Sequence, residues 1–108
     1  MAKEADIQRD ICRYLRKQSL LFWRFSPDTY NAAIGRYIKH EYVPNGLPDI
    51  MVLLPNLLLG LEVKGPKGKA SPDQVLMQKR FKRLGHVYKV VRSVEEVCAI
   101  LSEHEQVP

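Results

Sequence analysis

Apolar residues recur at helical spacing in "AKEADIQRDICRYLRKQ", where Ile7, Ile11, Tyr14 and Leu15 share a face. Acids open this stretch and Arg and Lys close it, as a helix dipole favours. "LLFWRFS" then reads as a strand. The twenty residues 27–46 show no clean period, which is long for a connection in a compact domain. Two apolar strands follow, "DIMVLL" and "LLLGLEVK", joined by a turn at Pro55-Asn56 and apolar on both sides, as central covered strands are. "SPDQVLMQKRFKRLG" predicts a helix with Ser71 as N-cap, Pro72 at its first position, Gln74 completing a capping box and Gly85 closing it. A strand "HVYKVVR" and a Ser-capped helix "SVEEVCAILSEH" with Glu96 at the box position complete the order. The pattern α-β-β-β-α-β-α predicts an α/β domain spanning 1–108, a mixed central sheet with helices on both faces.

The two apolar strands carry an anomaly: Asp49 near the start, Glu62 near the end, and Lys64 two residues on. A turn centred on Pro55-Asn56 puts residues whose numbers sum to 111 opposite one another, so Asp49 faces Glu62. A four-residue loop is expected, because Pro55 cannot supply the positive φ that the favoured two-residue turns need. Opposed residues have Cβ atoms about 5 Å apart, where like charges repel. Two buried carboxylates so placed call for a proton or a cation between them. Alternation puts Asp49, Glu62 and Lys64 on one face, with Gly60 leaving room beside them. Oxygen donors of this kind suit Mg²⁺ or Mn²⁺.

Charge adds a partner. The net charge is +5, but the window from Lys64 to Arg83 alone carries +6, and the rest of the chain −1. Such a concentration suggests a polyanion, nucleic acid first, gripped by Lys67, Lys69, Lys79, Arg80, Lys82 and Arg83. Arg36 and Lys39 in the long connection, beside Tyr37 and His40, add a second basic group. Phosphodiester hydrolysis needs what the acids and the lysine offer: a held metal and a fixed cation near developing negative charge.

"PD" at 48–49 followed by "EVK" at 62–64 resembles the PD-(D/E)xK nuclease superfamily. More narrowly, the chain is similar to the stand-alone VRR-NUC (virus-type replication-repair nuclease) domains. The likeness runs through "EADIQ", "WRFS", "GRYIKH", "GLPDI", "LEVK", "ASPDQ" and "HVYKVVRSVEE". It implies a restriction-endonuclease-like core. It also implies that Asp49, Glu62 and the carbonyl of Val63 bind the metal, and that Lys64 positions or activates water. Glu4 matches the family's additional acid and Gln74 its helix glutamine, although dipole and capping readings serve both equally well; Gln8 lies one turn after Glu4. The expected activity is an Mg²⁺- or Mn²⁺-dependent endodeoxyribonuclease on branched DNA, four-way (Holliday) junctions above all, acting in repair as a homodimer. The alternatives are a non-catalytic nucleic-acid-binding module, or a nuclease acting on flaps or within a larger complex.

The remaining features are read plainly. Trp23 and Phe25 alternate with Leu21 and are assigned to the core rather than to base stacking. Tyr30, Tyr37, Tyr42 and the apolar face Val97, Ile100, Leu101 are the candidate dimer contacts. Cys12 and Cys98 lack metal-ligand spacing and fall on apolar helix faces, so a reducing, cytoplasmic setting (a bacterial or phage-infected cell) without structural zinc is expected. His86 and His104 have no evident sequence partner. No run is long enough to span a bilayer, and the first residues lack a signal peptide's apolar region.

Overall fold

The computed structural model describes residues 3–25, 28–39 and 41–104. Its order is α1 (Glu4–Lys17), β1 (Leu21–Arg24), β2 (Asp28–Asn31), β3 (Arg36–Lys39), β4 (Ile50–Leu54), β5 (Leu57–Val63), α2 (Pro72–Arg83), β6 (Val87–Val91) and α3 (Val94–His104). Strands β1, β4, β5 and β6 form one sheet in that order, with β6 parallel to β5 and the other pairings antiparallel. This is the mixed α/β architecture that the periodicity predicts. Strands β2 and β3 are an addition: the long connection folds into a separate two-stranded sheet. The radius of gyration is 14.6 Å, above the ~13 Å of a compact chain this long, consistent with an arm standing off the core.

Alternation along β4 and β5 divides the interior in two. Ile50, Val52, Leu59, Leu61 and Val63 pack with Ile7, Ile11 and Leu15 of α1 and with Val97 and Ile100 of α3. On the other face Met51 and Tyr88 pack with Met77 and Phe81 of α2. Gly60 lies on this second face. A Cβ there would stand 2.6 Å from the Pro48 ring and 3.1 Å from Phe81, so the room it leaves is filled by packing. The ring seated there belongs to the residue before Asp49, so the same contact locates the acid.

Three expectations change. The β4–β5 ladder has the predicted register but closes at Leu54↔Leu57, with a two-residue turn instead of four. Among the described non-glycine residues only Ser19 has positive φ, so Pro55-Asn56 turns without it, at the expense of a poorer match to strand twist. In β1 the expected core face is reversed. Phe22 packs on the α1 side while Leu21 is 62% and Trp23 43% exposed, because β1 is an edge strand that α2 does not cover. Val97 and Ile100 are buried in the core, so neither serves a dimer. The side chains of Tyr30, Tyr37 and Lys39, and all of His40, lie outside the described residues; Tyr42 and Arg36 are exposed.

His86 has a partner that sequence does not reveal: its Nδ1 accepts the Leu58 N–H at 2.9 Å, fixing the start of β5 to the end of α2. No helix among the described residues is long and apolar enough to cross a membrane. Two substitutions check the packing. Gly60→Ala is expected to destabilise the fold by about 1–3 kcal/mol through overpacking against Pro48 and Phe81. Leu21→Ala should stay within about 0.5 kcal/mol of wild type, as exposed positions do, when both are measured by denaturant unfolding.

Candidate metal centre

The register that pairs Ile50 with Leu61 brings Asp49 and Glu62 together one step further along the ladder. There the ladder changes character. Instead of a backbone carbonyl, the Asp49 side chain accepts the Val63 N–H, at 2.8 Å from Oδ2. Its backbone remains in the sheet, since the Phe25 N–H donates to the Asp49 carbonyl at 2.9 Å. The acid is thus held at both ends and aimed across β5.

The approach to Asp49 is fixed from the α2 side. Gly46 has φ +86°, and a Cβ on it would lie 2.3 Å from the Asp73 carbonyl oxygen at the start of α2. Only glycine allows so close a backbone approach at that φ. The Tyr88 hydroxyl donates to the Gly46 carbonyl at 2.9 Å, and its ring meets Phe81 edge-on at 5.4 Å. Burial, with the charges of Glu62 and Asp49, pushes the Tyr88 phenol well above the usual tyrosine range, so it stays a donor. Tyr88 escapes a reading by motif; its signal is a tyrosine on the covered face of a strand, where its hydroxyl needs a partner.

Glu62 is the buried acid, 2% exposed. Its Oε2 lies 3.3 Å from the Lys64 ammonium, while Oε1 is buried with no hydrogen-bond partner. Buried polar oxygens are rarely left so, because desolvation without a partner is costly. Burial, followed by the negative charge of Asp49, pushes the Glu62 carboxyl up to about 7 against the opposing pull of Lys64. Lys64 is tethered by its own N–H to the Val91 carbonyl, and Arg92 donates to the Gly65 carbonyl at 2.6 Å.

The start of α1 supplies a third carboxylate. Single oxygens of Glu4, Asp49 and Glu62 lie within 4.8 Å of one another. Three hard oxygen donors, one of them orphaned, fit a divalent cation and would end the repulsion the two strand acids suffer alone. Gln74 makes both bonds of the capping box, accepting from the Ser71 N–H at 2.9 Å while its own N–H bonds the Ser71 hydroxyl. It also lines a cavity of about 310 Å³ with Asp49, Glu62 and Phe25, so the capping and site readings coexist. Gln8 is turned elsewhere, its Oε1 accepting from Arg24 at 2.8 Å.

The basic residues are exposed but spread out. Lys67 and Lys69 lie in the loop after β5, and Lys79, Arg80, Lys82 and Arg83 ring the outer surface of α2. The helix rise puts Lys79 to Arg83 about 8–14 Å along the axis from Gln74. Arg36 lies on the separate β2–β3 sheet.

No family model and no curated protein matches the sequence. A solved structure described as a "VRR_NUC domain" does match in fold, with TM-score 0.68 and 26% identity over 98% of this chain and 100% of that one. The chain is similar to the VRR-NUC domains. A second structure, a "VRR_NUC domain protein", shares the fold at TM-score 0.63 and 16% identity over 94% of this chain and 86% of that one. The VRR-NUC fold is a nuclease fold, and this chain carries an acidic cluster with the donor set for a divalent metal.

The raised Glu62 carboxyl gives a pH signature. Folded, it holds its proton from its ordinary value near 4.5 up to about 7, where the unfolded chain has released it. The metal-free fold is therefore expected to lose stability as pH rises across that window and to level off above it. Glu62→Gln should flatten the melting-temperature profile measured in EDTA from pH 4 to 9. In the wild type, millimolar Mg²⁺ or Mn²⁺ should raise the melting temperature most at the upper end. A profile unchanged by Glu62→Gln would contradict this.

Proposed function

We propose that this VRR-NUC domain is a metal-dependent endodeoxyribonuclease that hydrolyses phosphodiester bonds in branched DNA, with four-way junctions its principal substrate. The observation that carries the reading is the orphaned Oε1 of Glu62, set among three carboxylates and beside a lysine. Asp49 and Glu62, with Glu4 and the Val63 carbonyl, would hold Mg²⁺ or Mn²⁺. That ion, when bound, polarises a phosphoryl oxygen and lowers the pKa of water.

The remaining work belongs to the chain. Asp49 is prevented from rotating by the Val63 N–H, which favours a fixed ligand geometry. Lys64 supplies a positioned cation to orient the attacking water and to stabilise charge gathering on the phosphate. Gln74, locked by its capping box, presents its amide to the cavity from the start of α2. The basic loop and helix, Lys67 to Arg83, supply phosphate contacts that position DNA without reading its sequence. A non-catalytic binding module is disfavoured, since the two acids and the lysine are all present and assembled.

Resolving a junction takes two cuts related by a two-fold axis, and the described residues offer one acidic cluster. A symmetric homodimer answers that requirement. With Val97 and Ile100 buried, the exposed Ile34, Ile38 and Tyr42 in and after the β2–β3 arm are the better interface candidates.

Asp49→Ala, Glu62→Ala and Lys64→Ala are each expected to abolish cleavage of a labelled four-way junction while retaining DNA binding in a mobility-shift assay. Wild-type cleavage by Glu62→Ala would reject the site. Charge reversal at Lys79 or Arg83 should weaken binding to all sequences alike and flatten its salt dependence by roughly one counterion. Light scattering at micromolar concentration should give twice the chain mass; a monomer making single nicks would reject the junction reading.

A further inference from the structure

Lys64 is the first residue past β5; its N–H still bonds the Val91 carbonyl, but beyond it the ladder ends. Its ammonium nevertheless stands 3.3 Å from Glu62, with the side chain only 15% exposed. A lysine's long stem gives up much rotamer freedom when it is held in one place. The ion pair fixes the head of that side chain. Something else has to fix the stem.

The stem is held by a turn. The Gly68 N–H donates to the Gly65 carbonyl at 3.1 Å, closing a tight turn directly after the lysine. The last residue of that turn packs on Lys64: a Cβ on Gly68 would stand 3.3 Å from the lysine Cβ and 3.4 Å from its Cδ. The turn also meets the other side of the site, since a Cβ on Gly65 would lie 4.0 Å from the Glu4 nitrogen. Its placement therefore bears on Lys64 and on the start of α1 together.

Arg92 pins that turn. From the first position past β6, its guanidinium Nη1 donates to the Gly65 carbonyl at 2.6 Å. Its own backbone is fixed at the start of α3: the Arg92 N–H donates to Glu96 Oε2 at 3.1 Å, and the Glu96 N–H bonds the Ser93 hydroxyl at 3.2 Å. Two features mark the contact as more than the pairing of a polar group. The Gly65 oxygen already accepts from Gly68, so it would not be orphaned without Arg92. The guanidinium also makes no ion pair among the described residues, so charge pairing does not explain its place.

We propose that Arg92 is a positioning residue for phosphodiester cleavage: through the Gly65 carbonyl it sets the Gly65–Gly68 turn against the stem of Lys64, and so sets where the ammonium stands beside the acidic cluster. The proposal rests on the nuclease reading of that cluster. It gives Arg92 no contact with DNA or metal, so affinity for both is independent of it.

Arg92→Ala, Arg92→Lys and the wild type would be compared in single-turnover cleavage of a labelled four-way junction with Mg²⁺ or Mn²⁺. Arg92→Ala should cleave roughly 10- to 100-fold more slowly, the scale on which a misplacement of about 1 Å acts. Junction affinity in EDTA and the melting-temperature rise given by Mn²⁺ should keep their wild-type values, which places the loss in the chemical step. Low millimolar guanidinium should restore part of the rate of Arg92→Ala, and Arg92→Lys, which keeps a donor and a charge, should fall between. A second readout needs neither metal nor DNA. Acetic anhydride in EDTA, followed by peptide mass spectrometry, should acetylate Lys64 faster in Arg92→Ala than in the wild type, with the exposed Lys79 as the unchanged reference. Cleavage by Arg92→Ala at the wild-type rate, a Lys64 as protected as before, or a loss of rate that neither guanidinium nor Arg92→Lys relieves overturns the positioning role and leaves the nuclease reading standing. A wild type that cleaves no DNA with either metal overturns both.

Discussion

Two carboxylates are held against each other at the end of a strand pair whose register leaves them no choice. Every ladder contact from Leu54↔Leu57 to Ile50↔Leu61 fixes the next, and the next is Asp49 opposite Glu62. Slipping by one residue would turn Ile50, Val52, Leu59, Leu61 and Val63 out of the core, so the hydrophobic interior enforces the repulsion. The rest of the site answers that constraint: Lys64 beside Glu62, the Val63 N–H on Asp49, Glu4 at the start of α1, and one Glu62 oxygen with no partner. Burial that makes the pair unfavourable alone is what would make it a strong cation ligand.

Support for this arrangement comes from residues with no chemistry of their own. Gly60 admits the Pro48 ring, which seats Asp49; Gly46 lets the preceding loop touch the start of α2; Tyr88 ties that loop to β6. Gln74 then reaches the same cavity because the start of α2 lies against that loop. The site is thus set by sheet register on one side and by helix-to-loop contact on the other.

Much of this was legible in the amino-acid order. The register could be read because a Pro-Asn turn between apolar runs admits one centre, and Asp49 and Glu62 are symmetric about it. The α2 cap was legible because Ser71, Pro72 and Gln74 each have a local role. What escaped depends on what covers what. Leu21 and Trp23 look like core by alternation, but alternation gives two faces without saying which one a helix covers; an edge strand leaves one bare. Residues 27–46 lacked a periodic signal because β2 and β3 have four residues each, too few for an alternation to stand out.

The central claim is that Glu4, Asp49 and Glu62 are one cation site. Crystals grown with Mn²⁺ and measured by anomalous diffraction above and below the manganese edge test it directly. The account predicts one strong anomalous peak within coordination distance, about 2.2 Å, of carboxylate oxygens from both Asp49 and Glu62, with Glu62 Oε1 no longer unpartnered. Crystals that bind manganese elsewhere while this cluster stays empty, with Lys64 still paired to Glu62, would contradict it.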